Sequence, residues 1–418
     1  MNNLFLFKLI YIMIGLLSIG ISISSEWVYR ADILNSSKID NKNYKELLGN
    51  VYITRDQLAL TTDKAILFSD TDELELYGNI KLIGELDTLT CDTLYYYSNK
   101  TSDYLVAIGN VILRDMNKKV LSDSLSYWSE IDSIYARGDV FIKDSKSNLK
   151  AQYVNYWKTN GFYGYSFIAN EDVLINSSDS EIRGQEMIYD DLAQNLKILD
   201  NASVDHENQR VVGNVMNIQL SDSMIQFINI SDDPVAYSGV KVKSIKDSSY
   251  FNFQDMMMGE KINLFYEDNE LKDMIVTGMA SSIHHLVTDS LLDGFNDVSG
   301  DTIKLSFNDQ YLETMLVRGG ARGTYYPNQN NSNIDSLIYY QADQIDYMIG
   351  EKENYFYNEA SINYQDTELL SDYIEVDWIS SKLKSYIVDG NKPSVQTDSK
   401  SKPMSGDTLF YNLNTEEG

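Results

Sequence analysis

A short element returns along the chain about every thirty residues, a period that marks stacked supersecondary units. It is Gly-Asn or Gly-Asp followed by apolar residues at alternate places. The copies are Gly49-Asn50-Val51-Tyr52-Ile53, Gly78-Asn79-Ile80-Lys81-Leu82, Gly109-Asn110-Val111-Ile112-Leu113 and Gly138-Asp139-Val140-Phe141-Ile142, with a looser one at Glu171-Asp172-Val173-Leu174-Ile175. A second element lies between them, an acidic residue followed by apolar residues two and four places on. Asp92-Thr93-Leu94-Tyr95-Tyr96 and Asp123-Ser124-Leu125-Ser126-Tyr127 are clear copies. Further starts fall at Asp63, Gln152, Gln185, Asn214, Glu260, Asp301, Asp343, Asp372 and Asp407.

Alternation with period two puts one face of an extended strand in an apolar interior and the other in water. Gly-Asn and Gly-Asp tolerate positive φ, and here they are read as tight turns between strands. No long stretch beyond the N-terminus has the spacing of an amphipathic helix. One unit cannot bury its own apolar face, so neighbours must stack and share an interior. The expected fold is all-β, an elongated jellyroll or solenoid of stacked short antiparallel strands with a hydrophobic interior groove. The spacing widens after Asn214 and the segment holds Pro234, which predicts a break near residues 220–250. Two consecutive jellyroll segments follow, 25–235 and 236–418. Later wide steps predict inserted loops, one of them from Tyr325 to Asn333.

Composition narrows the partners. The 418 residues carry a formal charge of −28, with 31 Tyr and 4 Pro. Such acidity excludes nucleic acid as a partner and argues against a polybasic membrane contact. A single cysteine, Cys91, leaves no intramolecular disulfide and reads as a small buried hydrophobe. Residues 1–24 read as a secretory signal, with Lys8 before an apolar stretch and Ser22 and Ser24 at a cleavage-type site. An uncleaved N-terminal anchor is the alternative. The chain ends soon after the start at Asp407, so a further segment, such as a β-barrel, is left open.

The Gly-Asn-Val element, with a following strand of the form aliphatic-x-Ser/Ala-Asp-x-aliphatic-x-Tyr, resembles the OstA-like β-jellyroll of lipopolysaccharide-transport proteins. The stretch Leu370-Ser371-Asp372-Tyr373-Ile374-Glu375-Val376 and the later Ser405-Gly406-Asp407-Thr408-Leu409-Phe410-Tyr411 carry the same likeness. They are similar to the periplasmic domain of the outer-membrane lipopolysaccharide-assembly protein. The resemblance implies a periplasmic location near the outer membrane. It implies acyl chains of lipopolysaccharide held along the interior, and partners in other jellyrolls of the transport system, stacked end to end towards an outer-membrane translocon. No catalysis and no cofactor are implied.

Candidate lipid-facing residues are the inward aliphatics Val51, Ile53, Ile80, Leu82, Leu94, Val111, Leu113, Leu125, Val140, Ile142 and Val154. The same residues would fill the closed dry core of a secreted structural or adhesive solenoid, and the pattern alone does not separate the two. Other chemistry is set aside. His284 and His285 are adjacent, lack the spacing of a helical metal site, and read as a surface or strand-end pair. The acidic residues recur at supposed turns, which suits solvation more than a catalytic carboxylate pair. Met256, Met257 and Met258 read as core filler.

Overall fold

The computed structural model describes residues 26–412, apart from short stretches such as 99–102, 245–248, 329–335, 378–381, 387–392 and 398–401. The expected signal, residues 1–24, and most of the expected Asn-rich loop lie outside the described residues. Every described element is a strand, and consecutive strands pair antiparallel through most of the chain. Contacts divide the chain into two units. One holds residues up to Val204 together with Gln219–Met224; the other holds Asp205–Ile218 and Ile225 onward.

The first unit begins with β1 (Val28–Arg30) and β2 (Ile33–Ile39), both paired to β3 (Lys42–Arg55). The ladder continues through β4 (Leu58–Phe68), β5 (Glu73–Ile83), β6 (Thr88–Ser98), β7 (Asp103–Arg114) and β8 (Lys119–Trp128). It goes on through β9 (Ser133–Lys143), β10 (Ser147–Lys158), β11 (Tyr165–Ser177) and β12 (Ser180–Asp190), with β13 (Asn195–His206) next in the chain.

β14 (Gln209–Ser221) and β15 (Met224–Ser231) lie where the chain passes between units. The second unit continues with β16 (Val235–Lys243), β17 (Tyr250–Met258), β18 (Lys261–Glu267), β19 (Glu270–Thr288), β20 (Leu291–Asn308) and β21 (Tyr311–Pro327). After these come β22 (Ile338–Met348), β23 (Glu353–Tyr364), β24 (Thr367–Asp377), β25 (Lys382–Tyr386), β26 (Ser394–Gln396), β27 (Met404–Ser405) and β28 (Thr408–Asn412).

The Gly-Asn pairs are not turns. Gly49-Asn50 sits inside β3, Gly78-Asn79 inside β5, Gly109-Asn110 inside β7 and Gly138-Asp139 inside β9, and the pairing register shifts at each. Both residues of each pair have positive φ, for instance 78° at Gly109 and 48° at Asn110. Two left-handed residues inside a strand make a bulge that bends it while leaving the inward alternation in phase. Thus Leu105 and Ala107 precede the bulge, Val111 and Leu113 follow it, and all four point inward. The real reversals are hairpin turns such as 69–71 and 129–132.

The second sequence element explains how each bulge is held. The Asp that starts it lies on the neighbouring strand, over the glycine. Asn79 Nδ2 donates to Asp63 Oδ2 at 2.8 Å, and Asn110 Nδ2 to Asp92 Oδ2 at 2.8 Å. Farther along, the polarity reverses. Gln152 Nε2 donates to Asp139 Oδ1 at 3.0 Å and Gln185 Nε2 to Asp172 Oδ1 at 3.0 Å. These acidic residues are therefore clamps across bulges, and the expectation that they lie at turns is corrected.

The bulged conformation outlasts its sequence. Asp200-Asn201, Gly278-Met279, Gly319-Gly320 and Asn358-Glu359 all have two successive positive φ values. In the second unit the wide sequence steps are absorbed by longer strands. β19 has 19 residues, β20 has 18 and β21 has 17. Tyr325, Tyr326 and Pro327 accordingly belong to a strand, where a loop was expected.

Candidate functional site

One face of the first unit's ladder is apolar from strand to strand. Opposed residues form a row Ile53–Leu60–Leu82–Leu89–Leu113–Val120–Ile142–Leu149–Ile175–Ile182, one from each strand β3 to β12. On the other side of the bulge line runs Leu47–Ala65–Leu76–Leu94–Ala107–Leu125–Ala136–Val154–Ala169–Met187. Large and small residues alternate along much of this second row. Next to the bulges, Val51, Ile80, Val111, Val140 and Val173 face Thr62, Cys91, Ser122, Ala151 and Gly184. Small residues there leave room for the bend.

All eleven residues singled out from sequence lie on this face and are 0–3 % exposed. No helix among the described residues covers them. Burial this complete on one face of a single-layer ladder requires its two halves to fold over one another along the bulge line. Sequence reasoning missed more than half of these two rows. Leu60, Leu89, Val120, Leu149 and Ile182 each lie three places before the clamp residue, and that spacing was available as a signal.

A row of rings marks one margin of the face. It runs Leu67–Leu74–Tyr96–Leu105–Tyr127–Ile134–Tyr156–Phe167–Tyr189. Three of its phenols end on carboxylates at or just beyond strand ends. Tyr96 Oη donates to Asp103 Oδ1 at 2.8 Å and Tyr189 Oη to Asp191 Oδ1 at 3.1 Å, while Tyr127 Oη reaches Asp132. Asp191 is fully buried and also accepts from Thr159 Oγ1 and the Gly164 amide, which satisfies a charge that burial would otherwise penalise. Burial, and then the Asp132 charge, push the Tyr127 phenol well above its ordinary value, so it stays a neutral donor. Burial likewise pushes the Cys91 thiol up to about 12, which fits the expected inert hydrophobe.

The second unit has an equivalent row, Ile262–Val276–Ile303–Val317–Ile345–Phe356–Ile374, every member buried. Beside it Tyr347 Oη donates to Tyr340 Oη at 3.1 Å, and Tyr340 Oη to Asn296 Oδ1 at 3.2 Å. Gly323 lies opposite Tyr340, and an added Cβ there would stand 2.2 Å from the ring.

His284 and His285 lie inside β19, not at a strand end, and both are part-buried. Both rings bond to Asp255 of β17, His284 Nδ1 to Oδ2 at 2.8 Å and His285 Nδ1 to Oδ1 at 2.7 Å. Of the three methionines only Met257 is buried. Among the described residues no three His, Cys, Asp or Glu side chains converge as metal ligands.

A long antiparallel ladder of bulged strands with one buried apolar face is the architecture of a β-jellyroll or solenoid. Residues 25–185, a stretch that runs from β1 into β12, match the family model described as OstA-like protein, so this part of the chain is similar to that family. No curated protein matches the chain.

Proposed function

We propose that the protein is a periplasmic carrier of lipopolysaccharide, holding the acyl chains in the apolar interior on their way to the outer membrane. The observation that carries this reading is the pair of aliphatic rows running without a charged residue across strands β3 to β12. An acyl chain needs a long continuous apolar track and no specific polar partner. The OstA-like match over this stretch supports the reading. The charge of −28 opposes any dominant grip on lipid phosphates, so affinity rests on the acyl chains and the head group stays in solvent.

Each of the two units is read as one such jellyroll. β1 and β2 end the first ladder with Val28, Ile33 and Leu34 exposed, a margin suited to addition of another jellyroll's strand.

A dry-core structural solenoid is the second reading, favoured by the near-complete burial of the same rows. Purifying the full chain from a Gram-negative host and extracting it for mass spectrometry separates the two. Stoichiometric lipid A species support the carrier, whereas lipid-free protein of unchanged fold and stability supports the dry core.

A further inference from the structure

The outer face of the second unit carries a hollow that an apolar interior does not explain. It has a volume of about 390 Å³ and is lined by residues of β20 to β24. Asp297, Thr324, Tyr339 and Asn363 stand opposite one another across four strands, and Arg322 faces Gln341 one row over. Their neighbours in sequence, Val298, Tyr340 and Ile362, point into the core, so these six side chains share the outer face.

Tyr339 is 52 % exposed. Among the described residues no other ring lies against it. Exterior rings of the first unit behave differently, since Tyr104 lies between Tyr97 at 6.0 Å and Trp128 at 4.9 Å. The hollow therefore offers one bare aromatic face ringed by amide, carboxylate, hydroxyl and guanidinium groups. These supply donors and acceptors in fixed positions on rigid strands. Strand spacing sets neighbouring groups about 4.8 Å apart and same-face residues of one strand about 7 Å apart, the scale of one pyranose ring.

Chemistry selects the ligand. A sugar presents an apolar C–H face to stack on a ring and a rim of hydroxyls that both donate and accept. An added peptide strand finds no free backbone here, because β21, β22 and β23 are paired on both sides. Nucleic acid is opposed by the acidity of the chain. We propose that this hollow binds a neutral oligosaccharide, with Tyr339 as the stacking platform and Asp297, Arg322, Gln341 and Asn363 bonding its hydroxyls. The site is independent of the lipid reading.

The test uses the full chain with hexasaccharides of glucose, N-acetylglucosamine, mannose and galactose, read by saturation-transfer NMR and calorimetry. At least one binds, and Tyr339→Ala weakens it by about tenfold or more, the loss expected of an aromatic anchor. Tyr339→Phe keeps the affinity, as does Tyr52→Ala on the first unit. Circular dichroism confirms that each variant is folded. Absence of binding by all four sugars, or binding indifferent to Tyr339→Ala, overturns the proposal.

Discussion

Replacing Gly109 with alanine puts a side chain where the bulge of β7 leaves no room. The residue has a φ of 78°, and an ideal Cβ would stand 2.5 Å from Asp92 Oδ2. Holding an L-residue in the left-handed region costs roughly 1–2 kcal/mol. Moving the Asp92 carboxylate aside breaks its 2.8 Å hydrogen bond from Asn110, worth about 0.5–1.5 kcal/mol net. The sum is about 2–3 kcal/mol, which lowers the Tm of a unit of this size by about 4–12 °C. Thermal and urea unfolding of the full chain read this as a shift confined to the first unit's transition. Adding Asp92→Ala to Gly109→Ala removes the collision and recovers part of the loss, a coupling that a double-mutant cycle measures. Gly350→Ala, with nothing within 4 Å, is the control. A Gly109→Ala shift no larger than that of Gly350→Ala would refute the clamp.

Tyr96→Phe leaves the nearly buried Asp103 without its phenol donor, and urea unfolding should show a loss of about 1–3 kcal/mol in the first unit. Cys91 should resist iodoacetamide at pH 8 in the native protein and react on unfolding. Because burial raises its pKa from 9.0 to about 12, the first unit keeps its stability below the ordinary thiol value and loses it as pH climbs between the two. Burial alone would raise the Asp255 pKa, but the bonds from His284 and His285 prevail and hold it below 3.8. Its contribution is therefore present above pH 3.8 and lost as pH falls through the lower native value. Asp255→Asn should flatten that acid limb in urea titrations of the second unit.

The apolar face was legible because burial on a strand has a period of two. Val111, Leu113 and Leu125 follow it without exception, and the structure places them inside. The bulges were not legible. Gly109-Asn110 has the composition of a hairpin turn, and the choice between a turn and a bulge depends on whether a neighbouring strand supplies Asp92 to clamp it. That partner is seventeen residues away in sequence, beyond any local rule. Extra length in the second unit was read as a loop at Tyr325-Tyr326-Pro327 because Pro and Asn usually break strands. Here Pro327 simply ends β21, while Tyr325 sits in the core against Gly294. The oligosaccharide hollow has no local signature at all, since Tyr339, Asn363 and Arg322 meet only through cross-strand register.

The most direct test of the carrier reading is site-specific photo-crosslinking in a lipopolysaccharide-producing cell. A photoreactive side chain at Leu113 or Leu94 faces the interior, and one at Ile112, the next residue along β7, faces outward. The carrier reading predicts lipopolysaccharide adducts at Leu113 and Leu94 and none at Ile112. Adducts at all three positions, or at none while the variants remain folded, would contradict it.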